Sequence, residues 1–193
     1  MSIWQELCYS LSARAAQAPA PFVVAIDGRC CSGKTSLAAY LGEKLGAPVL
    51  HIDDFYLPFA YRTALRLEQV GGHIHAERFR EEILGPVSEG KEIIYRAYRA
   101  HSDTWEPELT IPPHPLYVVE GSYALLPLLE EFYHYKIFLT VDPITQESRL
   151  LKREGPEKAA QFLTRWVVAE EKYFAACEVR SHADAAFDTS DCW

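Results

Sequence analysis

One eight-residue segment constrains this chain more than any other: Gly28-Arg-Cys-Cys-Ser-Gly-Lys-Thr35, which follows the apolar residues 22–26 and Asp27. It matches the pattern Gly-x-x-x-x-Gly-Lys-Thr, and a helical pattern follows it. The two glycines permit backbone angles that side chains forbid, so successive N–H groups can converge on a phosphate at the positive end of that helix. The segment therefore predicts a nucleotide phosphate-binding loop, or P-loop.

The residue types within this loop predict separate roles. We expect Lys34 to contact the β- and γ-phosphates and to act in catalysis, and the Thr35 hydroxyl to ligate Mg²⁺. ATP and Mg²⁺ are therefore the expected cofactors. The predicted nucleotide-binding residues are Gly28, Cys31, Ser32, Gly33, Lys34, Thr35 and Ser36.

Apolar runs alternate with amphipathic stretches along the whole chain. They predict an N-terminal amphipathic helix, strands at 22–26, 49–52, 116–120, 136–141 and 185–187, and helices at 36–45, 76–84, 143–153 and 159–177. Continuous apolar strands separated by helices are typical of a parallel sheet covered on both faces. We therefore expect a three-layer α/β/α fold with a mostly parallel five-stranded sheet and ligands beyond the carboxyl ends of its strands.

Composition bounds the class of protein. The length of 193 residues suits a single domain, 1–193, and the net charge of −8 argues against a broad basic face for nucleic acid. No apolar run approaches the ~20 residues that span a bilayer. Five cysteines without framework spacing are expected to be free thiols in a reducing cytoplasm. We expect a cytoplasmic protein without nucleic-acid or membrane partners, and the sequence leaves homo-oligomerisation open.

Two further segments narrow the class of P-loop protein. The chain lacks the Asn-Lys-x-Asp of GTPase switches and a Leu-Ser-Gly-Gly signature of ABC ATPases, but it contains His51-Ile-Asp-Asp-Phe-Tyr56 and Val118-Val-Glu-Gly121. In this order after the P-loop, the segments resemble the uridine kinase-like family of P-loop kinases, whose relatives include nicotinamide riboside kinase, phosphoribulokinase and bacterial pantothenate kinase. The resemblance covers the chain from Phe22 to about Asp188.

This resemblance implies transfer of the γ-phosphoryl group of Mg-ATP to a hydroxyl of a nucleoside or nucleoside-like metabolite. By position it makes Asp53 the general base and a substrate contact. Asp54 is the alternative, because neighbouring side chains of a strand point in opposite directions. Glu120 is expected to help Thr35 hold Mg²⁺ or to contact the substrate. The aromatic residues that could stack on a ring or line its slot are Phe55, Tyr56, Tyr95 and Tyr98.

A basic cluster follows the predicted strand 136–141. Arg149, Lys152 and Arg153 recur at helical spacing and share one helix face. The resemblance implies a lid at about 149–165 in which Arg149 and Arg153 neutralise charge during transfer. The alternative is a solvated face that pairs with neighbouring glutamates.

The predicted substrate-binding insertion, at about 56–112, departs from the family pattern. Arg96 stands where uridine kinases carry an acid, so Arg96, Arg99 and His101 are expected to contact an anionic substrate. A His73-x-His75 pair without a third ligand does not predict a metal site. Two other functions stay open: a kinase for a non-nucleoside such as pantothenate, a vitamin or a sugar phosphate, and a regulatory protein that binds ATP without turnover.

Overall fold

The computed structural model describes residues 2–19 and 21–192. Within this part of the chain the strands are β1 (Phe22–Gly28), β2 (Val49–His51), β3 (Ile93–Arg99), β4 (Thr104–Ile111), β5 (Leu116–Glu120), β6 (Tyr135–Thr140) and β7 (Ala185–Asp188). Five of them form one parallel sheet in the order β2-β5-β1-β6-β7, and β3 pairs with β4 in a separate antiparallel hairpin. The predicted five-stranded parallel sheet is confirmed.

The helices lie on both faces of this sheet. They are α1 (Ile3–Ala15), α2 (Lys34–Leu45), α3 (Ala64–Glu68), α4 (Ala76–Phe79), α5 (Gly85–Ser88), α6 (Pro143–Glu154), α7 (Pro156–Gln161), α8 (Val167–Ala176) and α9 (Val179–His182). Wider π-helical turns at Arg80–Leu84 and Phe162–Trp166 join α4 to α5 and α7 to α8. The three-layer α/β/α prediction is confirmed, although the helix predicted at 76–84 is α-helical only in its first turn.

Successive side chains of the buried strands point to opposite faces of the sheet, so the core consists of two layers, one on each face. On one face, Val24 and Ile26 pack with Leu11, Leu37 and Leu41 of α1 and α2. All five are fully buried, and burial of a side chain of this size contributes roughly 1.5–3 kcal/mol. The opposite face of the sheet packs against the α4–α5 region, α8 and α9. The sheet is therefore held rigidly between two helical layers.

The register of the sheet brings the ends of its central strands together. Ile26 of β1 pairs with Glu120 of β5, which in turn pairs with His51 of β2. Gly28 at the end of β1 pairs with Leu139 of β6. The loop after β1 therefore begins beside Glu120 and His51.

Two local structures differ from the sequence-based expectations. The strand predicted at 49–52 ends at His51, and Ile52–Asp54 forms a 3₁₀ turn instead. The β3–β4 hairpin was not predicted, because β4 is largely exposed and carries Pro107, a residue that disfavours a strand. It lies inside the predicted substrate-binding insertion.

The helices of residues 2–19 and 21–192 include none that is long and apolar enough to cross a membrane.

Candidate active site

A cavity of about 760 Å³ lies at the carboxyl ends of β1, β2 and β5. Ten of the predicted site residues line it: Cys31, Gly33, Lys34, Thr35, Ser36, Asp53, Tyr56, Glu120, Arg149 and Arg153. Eight predicted site residues do not line it: Gly28, Ser32, Phe55, Tyr95, Arg96, Tyr98, Arg99 and His101. Its wall also contains residues that sequence reasoning did not assign to the site, above all Glu170 and an aromatic group around His73.

The loop between β1 and α2 has the backbone that close approach to phosphate requires. Gly28 has a φ of 141° and Gly33 a φ of 90°, values that L side chains rarely adopt. A Cβ on Gly28 would lie 2.0 Å from the Leu139 carbonyl oxygen of the adjacent strand. Only glycine therefore allows the loop to begin so close to β6.

Lys34 extends along this loop. Its Nζ donates hydrogen bonds to the carbonyl oxygens of Gly28 at 2.8 Å and Arg29 at 3.0 Å. The buried Ser32 hydroxyl has no hydrogen-bond partner among the described residues. A cation and an unpaired buried donor next to turned backbone N–H groups suit an anion with several oxygens. These residues fit the phosphates of a nucleotide.

Thr35 and Glu120 supply oxygen ligands at the inner end of the cavity. The Thr35 hydroxyl donates to Glu120 Oε2 at 3.3 Å, and Glu120 Oε1 lies 2.6 Å from His51 Nδ1. The hydrogen bond that the His51 imidazole donates to the Glu120 carboxylate raises the pKa of His51. Mg²⁺ keeps several waters and takes few protein ligands, often a carboxylate and a hydroxyl beside phosphate oxygens. This pair fits such an ion.

Asp53 and Asp54 have opposite environments. Both Asp54 oxygens are engaged: Oδ1 accepts from Arg99 Nη1 at 2.6 Å, and Oδ2 accepts from the Tyr95 hydroxyl at 3.1 Å. The Asp53 carboxylate has no hydrogen-bond or ion-pair partner in the described part of the chain, and it lines the cavity with Lys34 and Glu120. The 3₁₀ turn, rather than a strand, separates the two side chains.

The electrostatic setting of Asp53 is also distinctive. Asp53 is exposed to the open cavity, and the protein groups around it displace part of its hydration shell; this desolvation raises its pKa to about 6. The negative charge of Glu120 raises it further, and the positive charge of Lys34 opposes the rise. A carboxylate with a pKa near 6 is a better proton acceptor than an ordinary aspartate.

Two buried carboxylates accept hydrogen bonds from the backbone of the loop. Asp27 accepts hydrogen bonds from the backbone N–H groups of Gly28 and Leu125 and from the Tyr173 hydroxyl, and burial raises its pKa to about 6. Glu170 accepts from the Cys30 N–H at 2.9 Å and the Ser122 hydroxyl at 2.6 Å. The helix at 159–177 gave no signal that set Glu170 apart from other charged positions.

The basic residues of α6 contact the phosphate-binding loop. Arg149 Nη1 donates to the Cys31 carbonyl oxygen at 3.2 Å, and its Nη2 donates to the Thr189 carbonyl oxygen at 2.7 Å. Arg153 pairs with Glu154 at 2.8 Å and reaches Cys30 Sγ at 3.5 Å. Both arginines face the cavity, and part of their hydrogen-bonding capacity holds the loop in place.

The structure places six predicted substrate contacts away from the cavity. Two of them are engaged elsewhere: the Tyr98 hydroxyl donates to Asp103, and Arg99 pairs with Asp54. Phe55 and Tyr95 stack on each other in the core with ring centroids 5.3 Å apart. The Arg96 side chain donates to the carbonyl oxygens of Glu106 and Trp105 within the hairpin, and His101 is exposed in the turn between β3 and β4. Tyr95, Arg96 and His101 belong to a stretch whose hairpin pairing the sequence did not reveal, whereas Phe55 follows the Asp53-Asp54 pair and points into the core.

An aromatic wall forms the outer part of the cavity. His73 is its centre, and its ring centroid lies 5.9 Å from that of Tyr56, 4.6 Å from Tyr123 and 5.2 Å from Trp166. These rings come from three distant parts of the chain, so only the fold brings them together. In the sequence, only the glycine pair Gly71-Gly72 before His73 marks this part of the site. Gly72 has to be glycine, because a Cβ there would lie 1.8 Å from the Arg66 carbonyl oxygen.

Comparison with known proteins places this geometry in a known fold. No protein-family model matches the chain. A possible uridine kinase from Bacillus stearothermophilus is similar over 96% of this chain and 97% of its own, with a TM-score of 0.73 and 21% identity. A candidate fructose transport system kinase from Silicibacter sp. TM1040 is similar over 97% and 100%, with a TM-score of 0.69 and 20% identity. The chain therefore has the fold of the uridine kinase-like P-loop kinases.

Proposed function

We propose that this protein is a kinase that transfers the γ-phosphoryl group of Mg-ATP to a hydroxyl of a small, nucleoside-like metabolite. The observation that carries the proposal is the unpaired Asp53 carboxylate, which lines the same cavity as Lys34, Thr35 and Glu120. A proton acceptor and a phosphate-binding loop that share one cavity are the two parts that phosphoryl transfer to a hydroxyl requires.

The phosphate-binding loop and α6 bind the nucleotide phosphates. The backbone N–H groups around Gly33 bind the phosphates, and Lys34 exchanges its carbonyl contacts for phosphate oxygens. Arg149 and Arg153, on the cavity wall, neutralise charge that develops on the transferred group. Mg²⁺ bound at Thr35 and Glu120 would neutralise the phosphate oxygens.

Asp53 and the aromatic wall bind the acceptor molecule. Asp53 orients the acceptor hydroxyl and takes its proton as the oxygen attacks phosphorus in line with the leaving ADP. Tyr56, His73 and Trp166 offer faces and edges to a flat ring. One structural neighbour is a possible uridine kinase, which supports an acceptor of this kind.

The test is ADP release from Mg-ATP across a panel of common nucleosides, nicotinamide riboside, pantothenate and sugar phosphates. For an acceptor that stimulates release, Asp53→Asn should lower kcat by about 10²-fold or more and leave ATP affinity within about twofold. Asp191→Asn, at an exposed position near the C-terminus, is the matched control and should keep wild-type turnover.

Two outcomes would count against this proposal. Equal kcat for Asp53→Asn and wild type would remove Asp53 from the proton transfer. Tight ATP binding without stimulation by any acceptor would favour the alternative of a regulatory protein that binds ATP without turnover.

A further inference from the structure

Glu170 of α8 is a carboxylate of the cavity wall, as Asp53 and Glu120 are. Only 4% of its surface is exposed, and both of its oxygens accept hydrogen bonds. Oε2 accepts from the Cys30 N–H at 2.9 Å, and Oε1 accepts from the Ser122 hydroxyl at 2.6 Å. The two donors belong to different loops, so Glu170 bridges the phosphate-binding loop and the loop that follows β5.

The loop after β5 connects several parts of the proposed active site. Ser122 follows Glu120, the proposed Mg²⁺ ligand, by two positions and precedes Tyr123 of the aromatic wall. Gly121 lies so close to the 3₁₀ turn after β2 that a Cβ there would be 2.3 Å from Ile52 Cγ2. A displacement of this loop would therefore disturb the metal ligand, the aromatic wall and the neighbouring turn.

Two further contacts fix α8 against the start of the phosphate-binding loop. Glu171, the neighbour of Glu170, accepts from Arg29 Nη2 at 3.0 Å, and the Tyr173 hydroxyl donates to Asp27 Oδ2 at 2.8 Å. The Glu170 carboxylate therefore projects from a helix that is already attached to the loop, and its bond to Ser122 extends this attachment to β5.

The negative charge of Glu170 is unfavourable for binding a nucleotide. Phosphates are anions, and a carboxylate on the wall of the same cavity repels them. A carboxylate is, however, the side chain that accepts two charge-assisted hydrogen bonds at once, and these are stronger than bonds between neutral groups. The position of Glu170 is therefore explained by its bridge between the two loops rather than by contact with the phosphates.

We infer that Glu170 is a positioning residue that holds the phosphate-binding loop at a fixed distance from the loop after β5, an inference that rests on the proposed kinase function. The first loop positions the γ-phosphate, and the second positions Mg²⁺ and the wall of the acceptor site. Phosphoryl transfer requires these groups in line, and small displacements lower the rate by large factors. Glu170 acts through Cys30 and Ser122.

A binding experiment tests this bridge without turnover. Calorimetry gives the affinity of a non-hydrolysable ATP analogue with and without Mg²⁺, and the ratio of the two affinities measures how well the loops hold the metal between them. Ser122→Ala and Glu170→Ala should each lower this ratio about fivefold or more, because Glu120 loses its fixed position beside the phosphate-binding loop. Ser181→Ala, which removes an exposed hydroxyl of α9, should leave the ratio unchanged.

A double-mutant cycle with an acceptor that stimulates ADP release tests whether Glu170 and Ser122 act together. Each substitution by alanine should lower kcat about tenfold, and the double variant should lower it no further, because either change breaks the same bridge. Effects that multiply to about a hundredfold in the double variant would overturn the inference. A wild-type kcat in Ser122→Ala would also overturn it, and that variant alone decides if Glu170→Ala does not fold.

Glu170→Gln separates positioning from proton transfer. Its amide oxygen can accept from the Cys30 N–H and its NH₂ group can donate to the Ser122 oxygen, so the bridge persists without the charge. We expect kcat within about threefold of wild type and an affinity for the ATP analogue at least as high. A kcat as low as that of Asp53→Asn would make Glu170 a proton acceptor and contradict the positioning role. Glu157→Gln, at an exposed position of α7, is the matched control.

Failure of the kinase proposal would give a different result from failure of the bridge. If no acceptor stimulates ADP release but the Mg²⁺-dependent ratio of affinities falls in Ser122→Ala and Glu170→Ala, the bridge is supported and the kinase proposal is not. If both variants keep the wild-type ratio, Glu170 does not set the distance between the two loops, and the inference is wrong whatever the turnover.

Discussion

Asp54 and Arg99 form an ion pair of 2.6 Å that ties strand β3 to the 3₁₀ turn carrying Asp53. The Tyr95 hydroxyl donates to the second oxygen of the same carboxylate. The β3–β4 hairpin is not part of the central sheet. Through Arg99 and Tyr95 it fixes the position of the turn that carries Asp53, the proposed base. Asp54 acts through its neighbour and is a positioning residue.

Arg99→Gln should loosen this attachment. We expect kcat to fall about tenfold, because small misplacements of a catalytic group are costly, while ATP affinity stays within about twofold. Loss of the charged partner should lower the free energy of unfolding by about 1–3 kcal/mol. Arg96→Gln is the control, since Arg96 in the same hairpin donates only to backbone carbonyl oxygens. Equal effects of the two substitutions on kcat would contradict a positioning role for Asp54.

The pH dependence of turnover should report Asp53. Its pKa is raised to about 6, so the carboxyl group stays protonated up to a higher pH than an ordinary aspartate. At saturating Mg-ATP, kcat/KM for the acceptor should therefore fall about tenfold per pH unit below pH 6 and level off above pH 7. The residual activity of Asp53→Asn should lack this inflection. An unchanged profile in that variant would assign the titration to another group.

The close approach of Gly28 to β6 gives a stability prediction. In Gly28→Ala, the added Cβ would meet the Leu139 carbonyl oxygen at 2.0 Å, and the backbone φ of 141° disfavours any side chain. We expect a loss of about 2–3 kcal/mol in the free energy of unfolding and weaker ATP binding. Gly90→Ala, at a φ of 65° with no atom within 4 Å of the new Cβ, should cost only about 1 kcal/mol and leave ATP binding intact.

The central sheet and the phosphate loop could be predicted from sequence because local patterns encode them. The seven residues of β1 are all buried, and the loop pattern fixes both glycines and Lys34. The choice between Asp53 and Asp54 could not be made, because it depends on Arg99 and Tyr95, which lie more than 40 positions away. Side chains alternate between two faces only in a strand. Because Ile52–Asp54 forms a 3₁₀ turn instead, alternation could not distinguish Asp53 from Asp54.

The acceptor side of the cavity was the least predictable part. Tyr56 was predicted from its place after the Asp53-Asp54 pair, but His73, Tyr123 and Trp166 join it only through tertiary packing, and nothing in their own stretches of sequence marks them as ring-binding residues. Arg96 was predicted to contact an anion because it stands where uridine kinases carry an acid. In the hairpin its side chain instead donates to a backbone carbonyl oxygen of β4. Long-range contacts of this kind leave no periodic or spacing signal in a single sequence.

The hydrogen bond from Tyr173 to Asp27 offers a test of how the loop is supported. The Tyr173 hydroxyl donates to Asp27 Oδ2 at 2.8 Å, and this bond favours the ionised carboxylate, whose pKa burial has raised to about 6. Tyr173→Phe should therefore raise that pKa further. It should also lower the free energy of unfolding by about 1–3 kcal/mol at pH 7.5, where the carboxylate is charged, and by less at pH 5, where it is protonated.

Chemical denaturation of wild type and Tyr173→Phe at the two pH values measures this difference directly. Tyr9→Phe, which removes the hydroxyl of an exposed tyrosine on α1, is the matched control and should change stability by less than about 0.5 kcal/mol at either pH. A cost for Tyr173→Phe that is the same at pH 5 and pH 7.5 would show that its hydroxyl does not stabilise the charge of Asp27. The loop would then depend on the backbone N–H groups of Gly28 and Leu125 for that charge.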